Sequence, residues 1–496
     1  METDLKKVFK ENILIGVFAG ILIHGFALVN KWPNWDDLGQ LWDKMDRTMS
    51  GRWLLSVPAS VSSRLSMPWI NGLLAILYIV IAANFVISLL DVQKKSVQLG
   101  IQVIMLAFPA VGATIFYTNS FDGYAFAILL ICLGVWCVGK IESIAGVPLG
   151  IVAIIAGMAC YQSYVGFGAA VAIIYVIWKL AFGEDSIKNV CIICFRYFVV
   201  FLVSAVGYVL ISKMLTQNSG LTSYMGIDQM GSIHLNEIPG QLAMAYKAFV
   251  GIDIGDGFAS SFTNWVCIGS LLLLAYLVWK KKLELKKIGL LVLLIVVFPI
   301  GCNLVYLFGA DAVHSIMLYG LAGKLIICLV IFDKIAMDFK KIAYCGILGV
   351  GIIAWIYTVE TNMAYLCAHV AYEETYAYTN RVLLKVELQE GFSANDKVYF
   401  IGMPNWDYTK MGVEWMKEPV FSTFTGLPKN LVKWGTYPLF CNKYMGFQQQ
   451  ISNLTAESSE QMGYTDLINT MSIYPNDGSI IRTEEGCILV KFSELK

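Results

Sequence analysis

The sequence predicts an all-α polytopic membrane protein of about eleven transmembrane helices, followed by a small C-terminal extracytoplasmic α/β domain. The 496-residue chain is 57% hydrophobic and 15% charged, with a mean hydropathy of +0.65. Soluble domains are less apolar and more charged. Apolar runs of about 17 to 25 residues, each able to cross a hydrocarbon core as a helix, fill most of the first 358 residues. We therefore divide the chain into a transmembrane module, 1–358, and a polar domain, 359–496.

The apolar runs lack the apolar/polar alternation of barrel strands, so we expect helices. The first follows a charged N-terminus and is expected to be retained, since no small-residue cleavage site follows it. The predicted spans are 13–29, 70–90, 97–116, one ending at 140, two flanking 160–164, one near 190–210, one ending at 279, 288–308, one ending at 333, and 342–358.

Basic residues in the short loops predict the orientation of the chain. Lysines are concentrated in the N-terminal segment and in the loops on one side, whereas three short loops on the other side have none. The positive-inside rule then places the N-terminus in the cytoplasm. Eleven crossings place loop 30–69, loop 212–264 and the C-terminal domain on the outer side.

Charge and cysteine content exclude some functions. Lysine and arginine balance aspartate and glutamate at 36 each, which argues against a nucleic-acid partner and leaves the lipid bilayer as the expected environment. Cys191 and Cys194 form a C-x-x-C inside an apolar run with no second pair nearby. We interpret them as packing residues.

Three segments predict the secondary structure of the C-terminal domain. Helical spacing of apolar residues continues from Met363 to Leu388. Residues 397–401 have the pattern of a buried strand, and 479–483 with 487–492 that of a hairpin closed by Glu-Glu-Gly.

The outer loop 30–69 carries an acidic pair, Asp36 and Asp37, beside Trp35. One interpretation is structural, because Asp37 and Gln40 fit a capping box at the start of an amphipathic interfacial helix. The other is catalytic, because a cap needs only one aspartate and the second is then available for chemistry. Asp36 is the preferred base, since Asp37 fits the cap better.

Other polar residues are predicted to face the same side. Arg52 follows Gly51, which is placed to end the interfacial helix, and either binds a phosphate bidentately or attracts anionic lipid. Asp122 lies in an outer turn, as do Tyr161 and Gln162. These residues either form turns or line a common cavity.

Two further candidates lie near the tenth span. His314 follows Asp311 at its outer end, and Lys324 lies about ten residues deeper. An ionisable group inside a membrane normally faces a polar cavity or a partner. Lys324 is therefore a candidate either for phosphate binding or for a structural ion pair.

The acidic pair in the first outer loop, the motif Ser-Gly-Arg-Trp-Leu at 50–54 and the Tyr161-Gln162 turn occur in an order and sidedness that resemble the polytopic type II glucosyltransferase family of bacterial O-antigen and surface-glycan modification. The resemblance covers roughly residues 1–360. It implies a GT-C superfamily bundle in the bacterial plasma (inner) membrane, a polyprenyl-phosphate sugar donor and a surface glycan acceptor. It places the catalytic carboxylate on Asp36 and Asp37, with Asp122 assisting.

The implied reaction is transfer of glucose or another hexose at the outer face. A carboxylate would deprotonate the acceptor hydroxyl, and Arg52 or Lys324 would stabilise the leaving phosphate. We expect inversion and no required cofactor, although adjacent aspartates could hold Mg²⁺ or Mn²⁺. The substrate-binding residues expected beside them are Trp35, Tyr161, Gln162 and His314.

Two alternatives remain at this point. A transporter or flippase of lipid-linked glycan would explain the many spans and the intramembrane lysine, but the sequence has no inverted repeat and no paired broken helices. A non-catalytic scaffold whose outer domain binds cell-wall glycan is the second.

Overall fold

The computed structural model describes residues 5–39, 47–63, 65–216, 236–251, 257–308, 313–336, 338–393, 395–404 and 432–495. Most of these residues are helical, and a small sheet lies near the C-terminus. The chain divides into two compact units. Of the described residues, the membrane unit contains 5–31 and those from 47 to 363, and the C-terminal unit contains 32–39 and those from 364 onward.

The helices up to the C-terminal sheet are numbered in chain order. They are α1 Leu5–Val29, α2 Trp35–Gly39, α3 Ser56–Val61, α4 Pro68–Leu89, α5 Lys95–Ala107, α6 Pro109–Ile115, α7 Phe121–Lys140, α8 Gly146–Tyr161, α9 Val165–Ala181, α10 Ile187–Leu215, α11 Ile238–Val250, α12 Gly257–Lys280, α13 Leu285–Cys302, α14 Ala322–Ile335 and α15 Lys340–Glu387. Short 3-10 turns lie at Thr48–Ser50, Gln162–Tyr164, Leu304–Phe308, Ser315–Met317 and Tyr319–Leu321.

Long apolar helices confirm a multi-pass membrane protein. Within the described residues, 8 helical stretches are long and apolar enough to cross a membrane when Gly146–Ala181 is counted as one, or up to 9 if the bent pair α5 and α6 forms one span. That pair bends by 43° at Pro109, which lacks the N–H of a helix interior and keeps Phe108 out of the helical region. The total of eleven crossings stays a prediction.

The apolar run Gly146–Ala181 contains two helices rather than one. A Cβ atom at Gly157 of α8 or at Gly168 of α9 would overlap the side chain of Ile131 in α7. The Tyr175 hydroxyl donates to the Gly139 carbonyl, 3.1 Å away, near the end of α7. Both helices therefore lie against α7, and the chain reverses direction between them.

The predicted eleventh span, 342–358, and the helix predicted from Met363 to Leu388 form one continuous helix. Helix α15 runs for 48 residues, and the point at which it leaves the membrane stays a prediction. Asn362 and Thr358 are polar, but each donates to the backbone carbonyl four residues earlier, at 2.8 Å in both cases. Both side chains find their hydrogen-bond acceptors inside the helix, so these polar residues do not end the helix.

The predicted outer loop 212–264 also contains regular structure. Helix α11 lies within it, and α12 begins before its end. Residues 217–235 and 252–256 of this loop lie outside the described residues.

The C-terminal unit contains the elements β1 Lys397–Ile401, β2 Ile451–Leu454, α16 Ala456–Gln461, α17 Thr465–Thr470, β3 Ile480–Arg482 and β4 Cys487–Lys491, with short turns at Trp434–Thr436, Tyr437–Leu439 and Phe440–Tyr444. The four strands form one sheet in the order β2-β1-β4-β3. Strand β1 pairs in parallel with β2 and β4, and β3 pairs antiparallel with β4, which confirms the predicted strand and hairpin. Ile401, Leu454, Ile468 and Leu489 form part of the core beside the sheet.

A close backbone contact joins α9, α13 and the 319–321 turn in the membrane unit. A Cβ atom at Gly320 would overlap the carbonyl oxygen of Cys302, and one at Gly166 would lie 3.0 Å from the same oxygen. Because the obstacle is backbone, no side-chain rotation relieves it. Gly320 and Gly166 therefore allow α9, α13 and the 319–321 turn to meet.

We expect Gly320→Ala to destabilise the protein by roughly 1–3 kcal/mol through overpacking. The measurement is thermal unfolding of the detergent-purified protein. Gly269→Ala is the matched control, since a Cβ there meets nothing within 4 Å. Equal melting temperatures for the two variants would contradict the close contact.

Candidate functional site

The acidic pair lies in the first turn of α2, within the C-terminal unit. The side-chain oxygen of Asn34 accepts from the backbone N–H groups of Asp36 and Asp37, at 2.9 and 3.0 Å. Asn34 is therefore the N-cap, and the predicted capping role of Asp37 was wrong.

The two carboxylates differ in exposure. Asp37 is only 1% exposed, whereas Asp36 is half-buried. Of the pair, Asp36 is the one that a solvent-borne reactant can reach more readily. This difference supports the sequence-based preference for Asp36 as the reacting group.

Aromatic contacts hold the segment that carries the pair. The indole N–H of Trp32 donates to Nδ1 of His369 at 3.1 Å, and its ring lies 5.8 Å from that of Tyr365. Nζ of Lys433 lies 3.7 Å from the ring centroid of Trp35. Partial burial lowers the pKa of the Lys433 ammonium, and the carboxylate of Asp36 acts in the opposite direction.

The second group of candidates lies in the membrane unit and is centred on Arg52. Gly51 has a φ of 71° and closes the turn Thr48–Ser50 in the left-handed conformation, as the sequence predicted for a terminating glycine. The predicted interfacial helix before it includes residues 40–46, which lie outside the described residues. Arg52 follows this turn directly.

Tyrosines surround the Arg52 guanidinium. Nη1 donates to the Tyr124 hydroxyl at 2.8 Å, and Cζ lies 4.8 Å from the ring centroid of Tyr161. The rings of Tyr124 and Tyr161 are themselves 4.4 Å apart. We call Arg52, Tyr124, Tyr161 and Gln162 the arginine cluster.

Backbone bonds fix the loop that carries Arg52. The Tyr208 hydroxyl donates to the Gly51 carbonyl at 3.0 Å, and the Leu54 N–H donates to the Ala159 carbonyl at 3.1 Å. The second bond joins the loop to α8 just before Tyr161. The loop therefore holds Arg52 and Tyr161 at a fixed separation.

The hydroxyl of Tyr161 and Oε1 of Gln162 are buried and have no hydrogen-bond partner within the described chain. The amide nitrogen of Gln162 donates to the Ser50 carbonyl at 3.4 Å. Since buried polar atoms are normally paired, these two can accept or donate to a bound molecule.

Asp122 occupies a different position from the one expected for an outer turn. It is fully buried in the first turn of α7. Its Oδ2 accepts from the Ser62 hydroxyl at 2.6 Å, and its Oδ1 accepts from the Gly123 N–H at 2.9 Å. The bond to Ser62 joins the end of α3 to α7, so Asp122 has a structural role.

Lys324 has its own neighbours in the membrane unit. Nζ donates to the Phe249 carbonyl at 2.8 Å and to Oδ1 of Asn264 at 2.6 Å. Both acceptors are neutral. The lysine lines a mainly apolar cavity of about 70 Å³ with Cys267 and Cys328, and its predicted phosphate contact stays a prediction.

The structure brings only some of the sequence candidates together. Arg52, Tyr161 and Gln162 are neighbours, whereas His314 begins the separate turn Ser315–Met317, and Asp311 lies outside the described residues. Sequence reasoning missed Tyr124, although it lies two residues after Asp122 in the same predicted turn. Nowhere in the described ranges do three or more His, Cys, Asp or Glu residues form a group that could hold a metal ion.

Comparison with protein families gives one match. A family model described as Glucosyl transferase GtrII matches residues 25–323. The match includes the acidic pair and the arginine cluster and ends one residue before Lys324. No curated protein and no solved structure matches.

We expect Asn34→Ala to loosen α2, because a lost N-cap costs about 1 kcal/mol, or about fivefold in local opening. Amide hydrogen exchange of the peptide covering residues 35–39 should accelerate by that factor. Asn34→Ser retains a capping oxygen and should restore most of the protection. Unchanged exchange in Asn34→Ala would show that the cap does not hold this turn.

Proposed function

Since the chain belongs to the GtrII glucosyl transferase family, we propose that it moves glucose or another hexose from a polyprenyl-phosphate donor to a surface glycan. Glycosyl transfer itself, with a sugar donor and a glycan acceptor, follows from the family. The lipid-linked donor, the outer face of the bacterial plasma membrane and the cytoplasmic N-terminus belong to the proposal. Nucleotide sugars are confined to the cytoplasm, so a transferase at the outer face needs a donor carried by lipid.

The arginine cluster is the observation that carries this proposal. Arginine stays charged at all relevant pH values and binds phosphate through two parallel N–H bonds. The Tyr124 hydroxyl and the Tyr161 ring orient the guanidinium, so its geometry exists before any ligand arrives. A preorganised cation is suited to the charge that develops on a leaving phosphate.

The role of the carboxylate follows from the chemistry of transfer. An acceptor hydroxyl attacks the anomeric carbon, its proton passes to a carboxylate, and the bond from that carbon to the phosphate oxygen breaks. We assign the proton acceptor to Asp36, with Asp37 as the alternative. A single displacement inverts the anomeric carbon, and the charge of Arg52 lets the proposed mechanism proceed without a metal.

We expect purified protein to transfer sugar from at least one member of a panel of polyprenyl-phosphate hexoses, with and without chelator. Product stereochemistry should be inverted and the rate should be the same with chelator. Asp36→Asn should lower kcat by about 10²- to 10⁴-fold, because general-base catalysis is lost, and Asp37→Asn should have a smaller effect.

Asp466→Asn is the matched control for these variants, since Asp466 is exposed on α17 of the same unit. It should retain full activity. Absence of transfer from every donor would exclude the polyprenyl-phosphate proposal, a retained anomeric configuration would exclude single displacement, and inhibition by chelator would exclude the metal-independent mechanism.

We expect Arg52→Met to lower kcat by about 10²- to 10³-fold, the range seen when a donor to developing negative charge is removed. Arg52→Lys keeps the positive charge but lacks the planar guanidinium, so its kcat should lie between that of Arg52→Met and that of wild type. Steady-state kinetics at saturating donor measures both. Arg196→Met in α10 controls for loss of one arginine from the membrane unit, and equal activity of Arg52→Met and Arg196→Met would exclude the assigned role.

A further inference from the structure

We infer that Lys433, from the C-terminal part of the chain, is a positioning residue for Trp35 and Asp36. Its Nζ lies 3.7 Å from the ring centroid of Trp35, which is the first residue of α2 and the neighbour of Asp36. The inference rests on the proposed function, because positioning matters only if Asp36 is the base. It gives the C-terminal domain, which follows the membrane helices in sequence, a part in catalysis.

The backbone of Lys433 is fixed by the turn that follows it. Its N–H donates to Oγ1 of Thr436 at 3.0 Å, and its carbonyl accepts from the Tyr437 N–H at 2.9 Å. Asn453 of β2 donates through Nδ2 to the Trp434 carbonyl at 2.5 Å. The sheet therefore supports the turn, and the turn supports Lys433.

The ammonium acts on α2 in two ways. A cation above an indole face is attracted to the electron-rich ring, which restrains the direction of the Trp35 side chain. The same ammonium is also close enough to the Asp36 carboxylate to attract it, since that carboxylate opposes the lowering of the Lys433 pKa by burial. The contact with the ring restrains Trp35, and through Trp35 it restrains the neighbouring Asp36.

Other titratable groups surround this segment. Helix α2 packs against the turns Trp434–Thr436 and Phe440–Tyr444, and the second turn carries Cys441, Lys443 and Tyr444. Cys441 is buried, and the Tyr444 hydroxyl bonds with that of Tyr372 at 3.1 Å. Asp37 follows on α2 itself, and His369, with Glu373 3.3 Å from it, lies beside Trp32.

The kinetic test compares Lys433→Met, Lys433→Arg and wild type in the sugar-transfer assay. Loss of positioning should lower kcat by about 10- to 100-fold with little change in the KM for the donor, whereas a lost substrate contact would raise KM. Arginine keeps a cation over the ring and should restore most of kcat. Lys397→Met, at an exposed position of β1 in the same unit, should match wild type.

A second test does not depend on activity. Competitive acetylation across a pH series, read by peptide mass spectrometry, reports the reactivity of each lysine. Burial lowers the pKa of Lys433, and the Asp36 carboxylate opposes part of that lowering. Asp36→Asn should therefore shift the Lys433 profile to lower pH while that of Lys397 stays fixed.

The two tests separate the possible failures. If wild type transfers no sugar but Asp36→Asn still shifts the Lys433 profile, the contact stands and the proposed function fails. If wild type is active, an unshifted profile or a Lys433→Met variant with normal kcat overturns the inference. A folded Lys433→Met variant whose donor KM rises while kcat is unchanged also overturns it.

Discussion

The hydrogen bond from Arg52 to Tyr124 is the interaction on which the site in the membrane unit depends. A guanidinium among apolar helices needs hydroxyl and aromatic partners, because hydrocarbon offers none. Tyr124 supplies the hydroxyl from α7, and Tyr161 supplies the ring from the end of α8. The reversal of the chain after Tyr161, together with Gly51 in its left-handed conformation, makes this convergence possible.

The acidic pair depends on a different set of contacts. The side-chain oxygen of Asn34 caps α2. Trp32 and Trp35 contact His369 and Lys433 of the same unit. The C-terminal domain, which the sequence alone left without a role, thus supports the segment that carries the proposed base.

Sequence predicted those features that depend on local pattern. Hydropathy revealed the membrane helices, a glycine before Arg52 revealed the end of a turn, and two short apolar runs separated by Glu-Glu-Gly revealed the hairpin of β3 and β4. The sequence assigned the cap of α2 to Asp37 rather than Asn34, since both residue types suit that role. It also did not show that the last span and the helix after it are continuous, because side-chain bonds to the preceding turn let α15 include polar residues. Lys433 lies about 400 residues beyond Asp36, and no local pattern relates residues so far apart.

The family match covers Asp36 but not the residues that support it. The match ends at 323, so it contains the acidic pair but neither His369 nor Lys433, which contact the segment that carries it. Geometry at Asp36 therefore depends on residues outside the part of the chain by which the family is recognised. The proposed base and the residues that contact its segment are encoded in different regions, and folding of the C-terminal unit brings them together.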